Sequence, residues 1–168
     1  ISSGTFKVQV KTSSDTTYSS ISGNNGDYII TASQPLSVNS VLPNPTTQNA
    51  SASYSINFNL GSSGALGIGD SIRIVFPSNT SLPSSMNSSD VTVEGTNPTV
   101  NPTIEGDTLT ITSPTAFSNL EEISVLINQT AGILNPTQVQ SYTLEVITSA
   151  EAGPYTSPSY NITQTTST

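Results

Sequence analysis

Short runs in which apolar and polar residues alternate recur along the chain, and this period of two constrains the fold more than any other feature of the sequence. Phe6, Val8 and Val10 share one face of such a run, Tyr54, Ile56, Phe58 and Leu60 share another, and Ile72, Ile74 and Phe76 a third. Further runs cover residues 90–94, 107–112, 122–128, 142–148 and 159–163. Turn signals stand between them: Asn-Pro pairs beginning at Asn44, Asn97, Asn101 and Asn135, the glycine-rich residues 61–69, and Gly153-Pro154. Half-buried strands at this spacing predict an all-β chain folded as an Ig-like β-sandwich.

One stretch occurs twice. Thr5-Phe-Lys-Val-Gln-Val-Lys-Thr-Ser-Ser-Asp15, followed by Asp27-Tyr-Ile-Ile-Thr31, matches Ser141-Tyr-Thr-Leu-Glu-Val-Ile-Thr-Ser-Ala-Glu151, followed by Ser159-Tyr-Asn-Ile-Thr163. Val10 aligns with Val146, Thr12 with Thr148 and Tyr28 with Tyr160, while Phe6 and Val8 take the places of Tyr142 and Leu144. The same hairpin is therefore expected at both ends, with residues 1–33 as an N-terminal strand or hairpin segment and 34–168 as the β-sandwich module. Two Thr-rich hairpins of such biased composition can match by chance; if the match is not chance, two explanations stand side by side. The chain is a piece of a tandem array carrying a stub of the previous repeat, or the extra hairpin is completed by a neighbouring subunit, since a strand with free N–H and C=O groups is a template for pairing.

Composition narrows the chemistry. The chain has no His, Cys or Trp and only 8% charged residues, which removes the commonest general base, the thiolate nucleophile and the usual zinc ligands. No enzymatic activity, no cofactor and no metal are expected. Eleven acids against Lys7, Lys11 and Arg73 give a formal charge of −8, so a phosphate backbone would be repelled and nucleic acid is not an expected partner. The polar content comes from 30 Ser, 25 Thr and 15 Asn, a mixture that favours strands, turns and solvated surface and points to the cell exterior. No apolar run approaches the roughly 20 residues that cross a bilayer. The opening Ile1-Ser-Ser-Gly has no signal-peptide character, so the chain reads as mature or excised.

Five sequons, at Asn49, Asn79, Asn87, Asn128 and Asn161, are candidates for N-linked glycans, and alternation from Ile123, Val125 and Ile127 places Asn128 on the outer face of its strand. Acidic pairs occur at Asp90 and Glu94, Glu105 and Asp107, and Glu121 and Glu122. Calcium binding or glycosidase chemistry would need such pairs to converge in space; each lies where a turn meets a strand, where solvated carboxylates are ordinary. Gly-x-Gly within residues 61–69 precedes a strand and lacks the Lys-Ser/Thr of a phosphate cradle, so it reads as a loop.

Three stretches resemble the β-rich repeat modules of prokaryotic surface proteins: Gly69-Asp-Ser-Ile-Arg-Ile-Val-Phe-Pro-Ser-Asn-Thr80, Ala131-Gly-Ile-Leu-Asn-Pro136 and Tyr142-Thr-Leu-Glu-Val-Ile-Thr-Ser149. The resemblance implies an extracellular, repeated, non-enzymatic module. One module with an orphan N-terminal strand segment, rich in Ser, Thr and sequons, is also similar to the archaeal thread-type filament subunits, in which the N-terminal segment of one subunit completes the sandwich of the next. Carried over, this implies a homopolymer on the cell surface, assembled by donor-strand complementation, with Phe6, Val8 and Val10 as the anchors that fill the partner's groove. The alternative is a repeat module of a cell-surface adhesin or cell-wall glycoprotein whose loops bind glycan or a surface.

Overall fold

A computed structural model describes residues 4–7, 9–10, 12–14, 19–20, 27–30 and 32–164. Chain contacts divide it into two units, residues 1–33 and 34–168. In the smaller unit, β1 (Gly4–Lys7) pairs antiparallel with β4 (Asp27–Ile30), and β2 (Gln9–Val10) with β3 (Ser19–Ser20).

The larger unit is a sandwich of two antiparallel sheets. One contains β5 (Ser37–Asn44), β6 (Ser53–Asn59), β11 (Glu122–Ile127) and β8 (Val91–Val93), in that order. The other runs β14 (Tyr155–Thr156), β13 (Glu145–Thr148), β7 (Ser71–Val75), β10 (Thr108–Thr112) and β9 (Thr103–Glu105). A separate pairing joins β12 (Ser141–Tyr142) to β15 (Tyr160–Asn161). The first sheet has the order of the ABED sheet of an immunoglobulin constant-type domain, and β14-β13-β7 has that of its GFC sheet. The β9–β10 hairpin is an insertion between the fourth and fifth strands that extends the second sheet beyond β7. The described residues contain only two single 3-10 turns, at Ser88–Asp90 and Gln129–Ala131, and no α-helix. No helix among them is long and apolar enough to cross a membrane.

Alternation drives the two inner faces together. Tyr54, Ile56 and Phe58 from β6, Ile123, Val125 and Ile127 from β11, and Val91 and Val93 from β8 meet Ile72, Ile74, Leu109, Ile111 and Val146 from the opposite sheet, all with no measurable exposure. Burying each of these larger side chains is worth about 1.5–3 kcal/mol. Two aromatic contacts stitch the layers: Tyr54 meets Phe76 edge to face at 5.2 Å between centroids and Tyr160 at 6.1 Å.

β5 departs from strict alternation. A register shift between Val38 and Ser40 inserts a bulge, so the inward residues are Val38, Val41 and Pro43. Proline is tolerated there because β5 lies at the edge of its sheet. A buried polar hub closes the same end. Asn135 accepts the Tyr54 hydroxyl proton at 2.7 Å and donates through Nδ2 to the carbonyls of Pro45 and Thr47, both at 2.8 Å.

Candidate assembly surface

The two copies recognised in the sequence pair in the same register. Phe6 stands opposite Tyr28 in the smaller unit, and Tyr142 opposite Tyr160 in the larger. Gln9 and Val10 stand opposite Ser20 and Ser19; their counterparts Glu145 and Val146 stand opposite Thr156 and Tyr155. In the larger unit β12 ends at Tyr142 and β13 begins at Glu145, so the hairpin passes from one pairing to the next across Thr143 and Leu144. At the larger unit's break the Leu144 N–H donates to Ser157 Oγ at 3.0 Å and the Ser157 N–H to the Leu144 carbonyl at 2.9 Å, which lets the hairpin change sheets without losing its backbone bonds.

What differs is the surroundings. In the larger unit β13 also pairs with β7, Val146 opposite Ile74 and Thr148 opposite Ile72, and the hairpin's apolar side is sealed: Tyr142, Leu144, Tyr160 and Ile162 are between 1% and 6% exposed. Among the described residues of the smaller unit no third strand pairs with β2, and Phe6, the counterpart of Tyr142, is 38% exposed. Of the other two anchor residues expected from the sequence, Val8 lies outside the described residues and Val10 is placed by its backbone pairing alone.

The turn of the larger unit's hairpin carries a second feature. Glu151 is buried with its carboxylate turned into the sandwich end, where Oε1 accepts the Leu36 N–H at 3.2 Å and Oε2 the Gly61 N–H at 2.9 Å. Its own N–H donates to Thr148 Oγ1 at 3.2 Å. Gly61 and Gly64 leave the room this needs: a Cβ on either would overlap a Glu151 carboxylate oxygen. The clasp ties the hairpin turn to the start of β5 and to the β6–β7 loop. Gln34 and Ser62 reinforce it, the Ser62 N–H donating to the Gln34 carbonyl at 2.7 Å and the Gln34 N–H to Ser62 Oγ at 3.1 Å. Sequence reasoning read residues 61–69 as a plain loop and missed Glu151; an acid aligned with Asp15 in so sparsely charged a chain was the available signal.

The sequon asparagines do not gather into one patch-forming element. Asn49, Asn79, Asn87 and Asn161 are exposed; Asn49 adopts a left-handed φ of 55° and Asn161 Oδ1 accepts the Ser141 hydroxyl at 2.6 Å. Asn128 lies just past β11, half-buried, with Nδ2 donating to the Ser89 carbonyl at 3.4 Å. Of the acidic pairs, Asp90, Glu94 and Glu121 accept hydrogen bonds from neighbouring backbone or hydroxyl groups. Asp90 accepts from Thr130 Oγ1 at 2.8 Å and from the Asn87 N–H at 3.2 Å, and Glu94 from the Ser124 N–H at 2.5 Å. Among the described residues no three His, Cys, Asp or Glu side chains come together to hold a metal ion.

No protein-family model matches the chain, and no curated protein matches it. Among solved structures the chain is similar to one described as "Crystal structure of BslA - A bacterial hydrophobin", with 15% identity and a TM-score of 0.46, over 80% of this chain and 100% of that one. The sandwich architecture rests on the strand order itself.

Proposed function

We propose that the chain is a structural, non-catalytic module of an extracellular surface assembly, joined head to tail because residues 1–33 complete a β-sandwich other than the one formed by residues 34–168. The observation that carries this reading is the register match between the two hairpins, one seated against β7 and one with no such strand among the described residues. Backbone ladder bonds would supply the joint, with Phe6, Val8 and Val10 as anchors worth about 1.5–3 kcal/mol each on full burial. Exposed sequons at Asn79 and Asn87 and the Ser- and Thr-rich surface suit a location outside the cell.

Two arrangements deliver such a joint. In a filament the acceptor sandwich belongs to a neighbouring subunit, and a heterologous contact of that kind propagates without closing. In a repeat array, as in an adhesin or cell-wall glycoprotein, the acceptor belongs to the same polypeptide; residues 34–168 already holding their own hairpin favours this second arrangement.

Limited trypsin digestion tests the shared core of the proposal. Lys7 and Lys11 lie in the hairpin and Arg73 is the one remaining basic residue, so intact-mass analysis reads hairpin cleavage directly. Cleavage at Lys7 and Lys11 is expected to be rapid in the isolated chain and suppressed in native surface material. Equal protection in both would show that the hairpin is complete by itself and would end the proposal.

A further inference from the structure

The position that a docking hairpin would take on residues 34–168 is occupied. β13 runs along β7 from Glu145 opposite Val75 to Thr148 opposite Ile72, Val146 and Leu144 are 0% and 1% exposed, and the Glu151 clasp holds the turn. The resident hairpin is tethered to its own sandwich, so a hairpin from another molecule competes against a high effective concentration. Register adds a second obstacle. Seated as its copy is seated, residues 1–33 would set Gln9 opposite Val75, Val10 opposite Ile74 and Lys11 opposite Arg73, placing two cations across a ladder where the resident strand offers Ile147.

The side chains nonetheless match where the core would be. Phe6, Val8, Val10, Thr12, Tyr28 and Ile30 align with residues that are all buried in the larger unit, and each keeps the chemical type of its counterpart. Asp15 aligns with Glu151, so the clasp has its carboxylate as well. The mismatches fall elsewhere: Lys7 aligns with exposed Thr143, Ile29 with exposed Asn161, and Lys11 with half-buried Ile147.

We infer that residues 1–33 are the closing hairpin of a second sandwich of this same fold, preceding residues 34–168 in one polypeptide, and that the surface they fit is that sandwich's counterpart of β7, carrying a residue other than Lys or Arg where this chain has Arg73. The inference rests on the reading that residues 1–33 complete another sandwich. It makes the joint between modules covalent and continuous: the last strand of one module, Asp27–Ile30, leads within a few residues to Leu36, the residue the next module's Glu151 clasp holds.

A graft tests the fit in the full chain, with the sequence of residues 5–31 replacing residues 141–163. The grafted chain is expected to keep a single cooperative thermal transition for the sandwich. Its midpoint should rise by about 3 °C when Lys11→Ile is made in the grafted copy, relieving the contact with Arg73. Loss of the cooperative transition while the parent chain retains it would overturn the inference. Sedimentation velocity of the ungrafted chain supplies the second arm. A monomer supports the covalent arrangement. Polymers that disappear on Val10→Asp would overturn it in favour of docking between identical copies, while leaving strand addition itself intact.

Discussion

Removing the Glu151 carboxylate should unfasten the start of β5 and the β6–β7 loop together, and the size of the effect follows from what it leaves behind. Glu151→Ala strips the Leu36 and Gly61 N–H groups of their acceptor in a buried setting. Each orphaned donor costs about 1–3 kcal/mol, partly offset because a buried carboxylate is no longer desolvated, so a net loss of about 2–4 kcal/mol is expected. Gly64→Ala attacks the same place from the other side, since its Cβ would overlap Glu151 Oε2 and sit 2.9 Å from the Gly61 nitrogen. Overpacking of that kind costs about 1–3 kcal/mol. The double variant is the decisive measurement, because the alanine methyl of Gly64→Ala would enter space the carboxylate has left. Its loss should fall short of the summed single losses by about 1 kcal/mol or more. Urea unfolding followed by far-UV circular dichroism and tyrosine fluorescence reads all four states, the chain having six Tyr and no Trp. Additive losses, or a Glu151→Ala variant as stable as the parent, would refute the clasp.

Tyr160→Phe should change stability by no more than about 1 kcal/mol in the same unfolding assay, because the buried Tyr160 hydroxyl has only Thr80 and Tyr54 beside it and makes no hydrogen bond of good geometry among the described residues. Burial pushes the Tyr54 and Tyr160 phenols well above their ordinary value of 10.0, so both stay protonated in the folded chain while the unfolded chain ionises. Their contribution is therefore intact below pH 10 and declines above it, by about 1.4 kcal/mol per tyrosine per pH unit; a flat stability profile from pH 9 to 11.5 would contradict this. Glycopeptide mapping of native material should find Asn79 and Asn87 occupied ahead of Asn128, whose Nδ2 is engaged with the Ser89 carbonyl.

Strands whose inward residues alternate without interruption were legible from the sequence. β6, β7, β10 and β11 announce themselves because every second residue is apolar and every such residue is buried. β5 was not legible, because its bulge spaces Val38 and Val41 three apart and its next inward residue is a proline. β9 and β14 are three and two residues long, too short to establish a period. The run over 142–148 looked like one strand but divides between two pairings at Thr143 and Leu144, where Ser157 supplies the backbone bonds; that partner comes from a residue distant in sequence and leaves no local trace. The hairpin duplication was visible because it is a comparison of the chain with itself. Glu151 and Asn135 were not, since a buried polar group is defined by the donors and acceptors that the fold brings to it from Leu36, Gly61, Pro45 and Thr47.

The bonds that close the sandwich end also decide how it bears load. The Gln48 N–H donates to the Thr163 carbonyl and the Thr163 N–H to the Thr46 carbonyl, both at 2.9 Å, in a parallel bridge between the segment after β5 and the segment after β15. Tension applied between Gln34 and Gln164 draws these parallel segments past each other, so both bonds must stretch together and cannot open one at a time from an end. The Glu151 clasp lies on the same line of force, since it grips Leu36 at the point where the pull enters. A string of such modules would carry tension through its weakest-looking parts, a single bridge and one carboxylate, and would hold its length until these yield at once.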